Sequence, residues 1–375
     1  MQKPKNKILY IESLRGLAAL SVVFYHFAIN SYLTNNMFVK NSWLMVDFFF
    51  LLSGFVIALN FQQKIYSFSD AFKFQARRFF RLYPLHIVML IIFVAAEYAK
   101  YIAQAKYGLI ANNPAFTINN LESFLQNVLM VHAVFQEYLT WNGASWSISA
   151  EFLTYFLFAL IIFGSQRRTY LIVPISILIS FSAFMFLFNT NLSASNGLIR
   201  CFYSFFLGVL VWNICSSSKL TLPNFISYIF ILASIGMIIF AEPEDIIGLN
   251  IFNPVIFSIM LIALQLSNQP TNIAIQILNN KYLVYLGTIS YGIYMIHGFI
   301  WWAMRQSLKY IFDFPIVQDS RGFSQVVIQD EMLSSLILII GLFLIIFLSH
   351  VSFKFLEKPI NQYRGNRFIL RGEKN

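Results

Sequence analysis

Ten runs of roughly twenty mostly apolar residues divide this chain, at 9–30, 43–61, 84–104, 145–163, 170–188, 198–215, 225–241, 251–267, 282–304 and 333–354. A run of that length crosses the ~30 Å hydrocarbon core of a bilayer as an α-helix. In lipid the backbone must satisfy its own hydrogen bonds, which favours helices for segments of this kind. The chain therefore reads as an all-α, polytopic integral membrane helical bundle of about ten transmembrane helices. It forms one membrane domain over 1–375, with a core at about 8–360 and a short basic tail at 361–375. Composition agrees, since only 11% of residues are charged where a soluble domain carries about 25%.

The formal net charge of +10 suits either a nucleic-acid surface or an orientation signal, and its distribution decides. With the N-terminus cytoplasmic, 19 of the 26 lysines and arginines fall on the inner side, as the positive-inside rule expects. They include Lys64 to Arg81, Arg167, Arg168 and the tail from Lys354 to Lys374. Acidic residues such as Glu242, Glu244 and Asp245 face outward. Both termini are thus expected in the cytoplasm, and no nucleic-acid partner is expected. The partition holds only if 121–138 does not span, so that segment reads as re-entrant or interfacial. The first run follows Lys3, Lys5 and Lys7 like a signal peptide, yet it is too long and lacks a small-residue cleavage site, so it is expected to remain. Cys201 and Cys215 stand about 21 Å apart on one helix and cannot form a disulfide.

Ionisable residues inside a membrane are expensive and mark function by default. By depth, His26, Asp47, Glu151 and His297 are expected to share the outer third of the membrane. Arg15 precedes His26 by eleven residues, three turns, so the two lie on nearly one face. Glu12 lies one turn from Arg15 and is placed to pair with it. Arg77, Arg78 and Arg81 cluster just before Tyr83-Pro84, where the third helix is expected to open. This basic inner mouth below a polar pocket suits acyl transfer from a cytosolic thioester carrier. Coenzyme A carries phosphates that guanidinium groups bind well. A neutral His26 can take a hydroxyl proton as general base, with Asp47 fixing its tautomer. No serine nucleophile motif is evident, which favours direct transfer.

Plainer readings stand beside these. Arg77, Arg78 and Arg81 serve equally well as orientation anchors, Asp47 as the neutraliser of a neighbouring helix, and His26 or His297 as packed core residues. His86, His132 and His350 have no partner legible in the sequence and are expected to be structural. No residue cluster has metal-ligand spacing and no glycine-rich phosphate loop appears, so no tightly bound cofactor is expected; the arginine cluster is what makes acyl-coenzyme A the expected co-substrate.

Six motifs in order carry a resemblance: Tyr10-Ile-Glu-Ser-Leu-Arg-Gly-Leu-Ala-Ala-Leu-Ser-Val-Val-Phe-Tyr-His26, Val46-Asp-Phe-Phe-Phe-Leu-Leu-Ser-Gly54, Ala76-Arg-Arg-Phe-Phe-Arg-Leu-Tyr-Pro84, Ser145-Trp-Ser-Ile-Ser-Ala-Glu151, Ser290-Tyr-Gly-Ile-Tyr-Met-Ile-His297 and Phe355-Leu-Glu-Lys-Pro359. Together they resemble the acyltransferase 3 family of membrane-bound acyltransferases. The resemblance implies transfer of acetyl or another short acyl group from acyl-coenzyme A to sugars of surface glycans, across the bacterial inner membrane. The family's arginine and histidine separated by ten residues match Arg15 and His26, and its paired arginines match Arg77 and Arg81. His26, Asp47 and Glu151 are then the expected catalytic residues. Arg15, Arg77 and Arg81 are expected to hold the donor, and Glu12, Trp146, Tyr294 and His297 to line the pocket. The acceptor is expected to be a glycan or lipid-linked saccharide. Some members carry an extracytoplasmic hydrolase-like domain after the helices. This chain runs only about twenty residues past its last apolar segment, so any step that domain performs is expected to fall to the membrane domain alone or to a separate extracytoplasmic partner. The rivals are a transporter or flippase, which often shows paired broken helices, and a membrane scaffold insensitive to changes at His26.

Overall fold

The computed structural model describes residues 8–27, 29–109, 113–135, 138–166, 168–242, 248–319 and 324–362. Lys3, Lys5, Lys7, Arg167, Glu244, Asp245 and the tail beyond 362 lie outside these. Each of the ten expected apolar segments is helical. In chain order the principal helices are α1 (Leu9–His26), α2 (Met45–Phe61), α3 (Phe68–Tyr107), α4 (Leu121–Val128), α5 (His132–Phe135), α6 (Trp146–Gly164), α7 (Ile172–Phe188), α8 (Gly197–Ser217), α9 (Asn224–Ile239), α10 (Asn253–Leu266), α11 (Lys281–Thr288), α12 (Ser290–Tyr310) and α13 (Glu331–Ser352). Among the described residues seven helices are long and apolar enough to cross a bilayer, and the bent pair α11 and α12 raises this to eight. The two remaining expected spans are α1, which carries Glu12, Arg15 and His26 among its 18 residues, and α9, with 16 residues. The expected ten is therefore approximate.

Lipid accounts for what the bundle leaves uncovered. Ile177, Leu178, Phe181 and Met185 on α7 are exposed, as are Leu336, Ile339, Ile340, Phe343 and Phe347 on α13. An apolar belt of this kind is stable in hydrocarbon and a liability in water. Inside, α2 and α8 cross so closely that a Cβ at Gly54 would strike the backbone carbonyl of Phe205. One at Gly208 would strike that of Leu51. Small residues permit this approach where helix association rests on van der Waals packing.

One sequence expectation is corrected here, and a second is refined. The third helix does not open at Pro84: α3 runs 40 residues from a capping box formed by Ser67 and Asp70 to Gly108, which is left-handed at φ 63°. At 1.5 Å per residue it is about 60 Å long, and the basic stretch expected as a loop is its first part. The ninth span is not straight, because α11 and α12 meet at 65° around Ile289. Among its described residues, segment 121–138 holds the short helices α4 and α5, neither long enough to span a bilayer, in line with its expected non-spanning reading. Near the His26 end of α1, strands β1 (Ile316–Gln318) and β2 (Ser324–Val326) pair antiparallel. Val326 also bridges to Ile29.

Candidate active site

Helix α1 connects two adjoining cavities. Its C-terminal residue, His26, lines a cavity of about 350 Å³ together with His297, Asn142, Arg200 and Arg305. Five of the chain's six tryptophans, Trp43, Trp141, Trp146, Trp301 and Trp302, form its walls. Three turns back along α1, Arg15 lines a second, narrower cavity of about 40 Å³ with Arg81, Ser147, Glu151, Tyr155 and Tyr291. Val46 and Tyr294 line both.

The imidazole of His26 is oriented by hydrogen bonds that allow one neutral tautomer. Its Nδ1 lies 3.0 Å from the carbonyl of Val22, one turn earlier. A carbonyl only accepts, so in the neutral ring Nδ1 carries the proton and Nε2 the lone pair. His297 agrees with this assignment. Its own Nδ1 donates to the Tyr294 carbonyl at 2.6 Å, which leaves its Nε2 as an acceptor 3.3 Å from His26 Nδ1. The two rings stand 5.0 Å apart. A proton arriving at His26 Nε2 would give a cation whose other N–H already faces two acceptors.

Asp47 was expected to orient that ring, and the structure corrects this. Both its carboxylate oxygens are engaged by Arg200, Nε to Oδ1 at 3.2 Å and Nη2 to Oδ2 at 3.0 Å. Arg200 also donates to the Leu192 carbonyl at 2.6 Å, and its guanidinium lies over Trp43 and Trp146, at 5.2 and 5.5 Å from the ring centres. Sequence reasoning passed over Arg200, although a carboxylate buried in a membrane demands a cation and Arg200 sits inside an expected span. Glu151 is likewise displaced from its expected place: it lines the cavity of Arg15 and Arg81, where Ser53 and Tyr155 donate hydroxyl hydrogens to it.

Of the α3 arginines, Arg81 lines the narrow cavity and Arg77 is exposed. Arg78 turns inward instead, over the rings of Phe61, Phe74 and Tyr155 at 5.0, 5.8 and 6.0 Å. Its buried Nε has no hydrogen-bond partner among the described residues. Glu12 reaches Arg15 at 4.0 Å, as its spacing suggested. Trp146 lines the His26 cavity. His86 and His132, without a legible partner in the sequence, stack at 5.7 Å. His86 donates from Nε2 to the Asn127 carbonyl, while His132 Nε2 lies 3.2 Å from Ser145 Oγ. His350 pairs with Tyr285.

Two further polar atoms matter for chemistry. Asn142 Oδ1 and Trp301 Nε1 are buried without a partner among the described residues, and both side chains line the His26 cavity. An acceptor and a donor left unsatisfied in an aromatic-walled cavity suit a ligand bearing hydroxyl groups.

Fold and site together define a multi-pass membrane protein with a histidine cavity and an arginine cavity sharing one wall. The chain matches the acyltransferase 3 profile, described as an acyltransferase domain, over residues 8–354; it belongs to that family and is an acyltransferase. It is similar to a candidate acetyltransferase, ORF330, of Acidianus two-tailed virus, with 28% identity over 304 residues, covering 78% of this chain and 83% of that protein. It is also similar to "Protein 2 in picA locus" of Rhizobium radiobacter, with 35% identity over 99 residues and 25% of this chain; the chain spans about half of that protein, 48%. No solved structure gives a significant match.

Proposed function

We propose that the protein transfers an acetyl or other short acyl group from acyl-coenzyme A to a hydroxyl of a cell-surface saccharide, with His26 as general base. The observation that carries this reading is the shared wall. The cationic cavity of Arg15 and Arg81 meets the tryptophan-lined cavity of His26 at Val46 and Tyr294. Donor phosphates pair with Arg15, Arg81 and the inward Arg78, through charge-assisted bonds. Aromatic walls stack on sugar faces, and Asn142 and Trp301 meet sugar hydroxyls. His26 Nε2 takes the acceptor proton as the hydroxyl oxygen attacks the thioester carbonyl. The C–O ester bond forms, the C–S bond breaks, and the proton passes to the departing thiolate. His297 Nε2 faces the resulting imidazolium and supports its charge.

His26→Ala tests this. General-base removal typically lowers the rate about 10² to 10⁴-fold, and acyl-coenzyme A affinity should stay unchanged because the arginines lie in the other cavity. Transfer within a few-fold of wild type, at matched protein level, would remove His26 from the mechanism. The distribution of lysine and arginine further supports both termini being cytoplasmic, and the proposed location is the bacterial inner membrane, as the family resemblance implies. Labelling from outside of a cysteine placed within 216–224 would overturn that orientation.

A further inference from the structure

The His26 cavity borders a further one at its far end. Trp302 and Arg305 line both, and the further cavity, of about 550 Å³, is bounded by Lys100 on α3, by Lys309 and Tyr310 on α12, and by Ser324 on β2. The connection follows a single stripe of α12. His297, Trp301, Arg305 and Lys309 recur every four residues, which places them along one side of the helix. From His297 to Arg305 the axis advances about 12 Å, and to Lys309 about 18 Å.

The charge of this outer cavity is largely unspent. Lys100 is held by Glu97 at 2.7 Å, so it is already neutralised. Among the described residues no carboxylate pairs with Arg305 or Lys309. The polar contact Arg305 makes among the described residues is a long one, Nη1 to the Ser324 carbonyl at 3.5 Å. A half-buried guanidinium that does not spend its charge inside the protein, at the border between this cavity and the site of transfer, is arranged for an anion on the ligand. Guanidinium and ammonium groups in this setting favour phosphate oxygens, which are strong acceptors with spread negative charge.

Resting on the reading of the His26 cavity as the acceptor site, we infer that the acceptor carries a phosphate or diphosphate, which Arg305 and Lys309 bind while its sugar lies among the tryptophans beside His26. The acceptor class is therefore a phosphate-linked saccharide, with the sugar at one end of the α12 stripe and the anion at the other. A bilayer phospholipid headgroup has the same anion chemistry, and the test separates the two sources.

The purified full-length protein in phosphatidylcholine nanodiscs is titrated with two probes, a prenyl-diphosphate-linked glucose and the neutral prenyl glucoside of equal chain length. Tryptophan emission reports binding directly, because five of the six tryptophans line the cavity. The wild type should bind the diphosphate probe about tenfold or more tightly than the neutral one, with the ratio falling as salt rises. Arg305→Gln with Lys309→Gln should bring the ratio close to one, and Arg305→Lys with Lys309→Arg should keep most of it. Equal affinities in the wild type, or a ratio that survives the glutamine pair, would overturn the inference while leaving the cavity as a sugar site. Loss of the ratio when phosphatidylglycerol is added to the nanodiscs would assign the anion site to bilayer lipid and overturn it too. If neither probe changes the emission, the acceptor-site reading fails first and the inference falls with it.

Discussion

Arg200 holds Asp47 by a two-pronged contact, with N···O distances of 3.2 and 3.0 Å, and the two side chains are 1% and 2% exposed. The pair ties the start of α8 to the start of α2, behind the tryptophan wall. Breaking a buried ion pair from one side leaves an uncompensated charge and costs about 3–5 kcal/mol, whereas replacing both partners with apolar residues is often neutral. Arg200→Leu and Asp47→Leu should each lower the thermal unfolding midpoint sharply, and the double Leu variant should recover much of the loss. Activity should not recover with it, because Arg200 lines the His26 cavity. Single variants as stable as wild type would show that the pair contributes nothing.

His297 makes a smaller, separable contribution. Its Nε2 accepts from His26 Nδ1, and in the proposed mechanism it supports the imidazolium during proton transfer. The Val22 carbonyl still holds the ring when His297 is removed. A hydrogen bond to a charged group is worth about 1.5–3 kcal/mol, which corresponds to roughly ten- to a hundredfold in rate. His297→Ala should therefore lower kcat into that range with donor affinity unchanged. A loss equal to that of His26→Ala would mean that the two rings handle the proton as one unit, and the supporting role given to His297 would fall.

The α3 arginines should divide by direction. Arg77 is exposed, so Arg77→Ala should leave the apparent acyl-coenzyme A affinity nearly unchanged. Arg78 and Arg81 face inward, and Ala at either should weaken the donor at equal expression. Arg81→Lys should also be impaired, since an ammonium lacks the fork geometry that grips phosphate. An Arg77 variant that loses donor binding while Arg78→Ala keeps it would reverse this assignment.

Much of the fold was legible because hydrocarbon imposes one rule on every residue: apolar runs of spanning length become helices. Each of the ten segments is helical for that reason. The Glu12–Arg15 contact followed from helical periodicity alone. The breaks were harder to read, because they depend on packing. Nothing local distinguishes the 65° bend at Ile289 from a straight span of the same composition. The start of α3 was misplaced because Pro84 was given more weight than the capping box at Ser67 and Asp70, seventeen residues earlier. In the site, depth along each helix put Asp47 near the right level but said nothing of azimuth, and azimuth decides that it faces Arg200. The same blindness placed Glu151 beside His26, whereas Arg77 entered through the family resemblance and not through depth. The α12 stripe of His297, Trp301, Arg305 and Lys309 was visible as a four-residue spacing, and only the cavity beside it gives that spacing a meaning.

Tyr294 belongs to both chambers. Its hydroxyl accepts from Ser147 Oγ at 2.8 Å on the arginine side, and its carbonyl receives His297 Nδ1 at 2.6 Å on the histidine side. A ligand that displaces this tyrosine from one direction alters what a ligand meets from the other. Thermodynamic reciprocity then fixes the bargain: whatever factor the first occupant imposes on the second, the second returns in equal measure to the first. The order in which the two arrive changes the route and not the final balance, so a single residue of the shared wall carries the coupling between the donor and acceptor chambers.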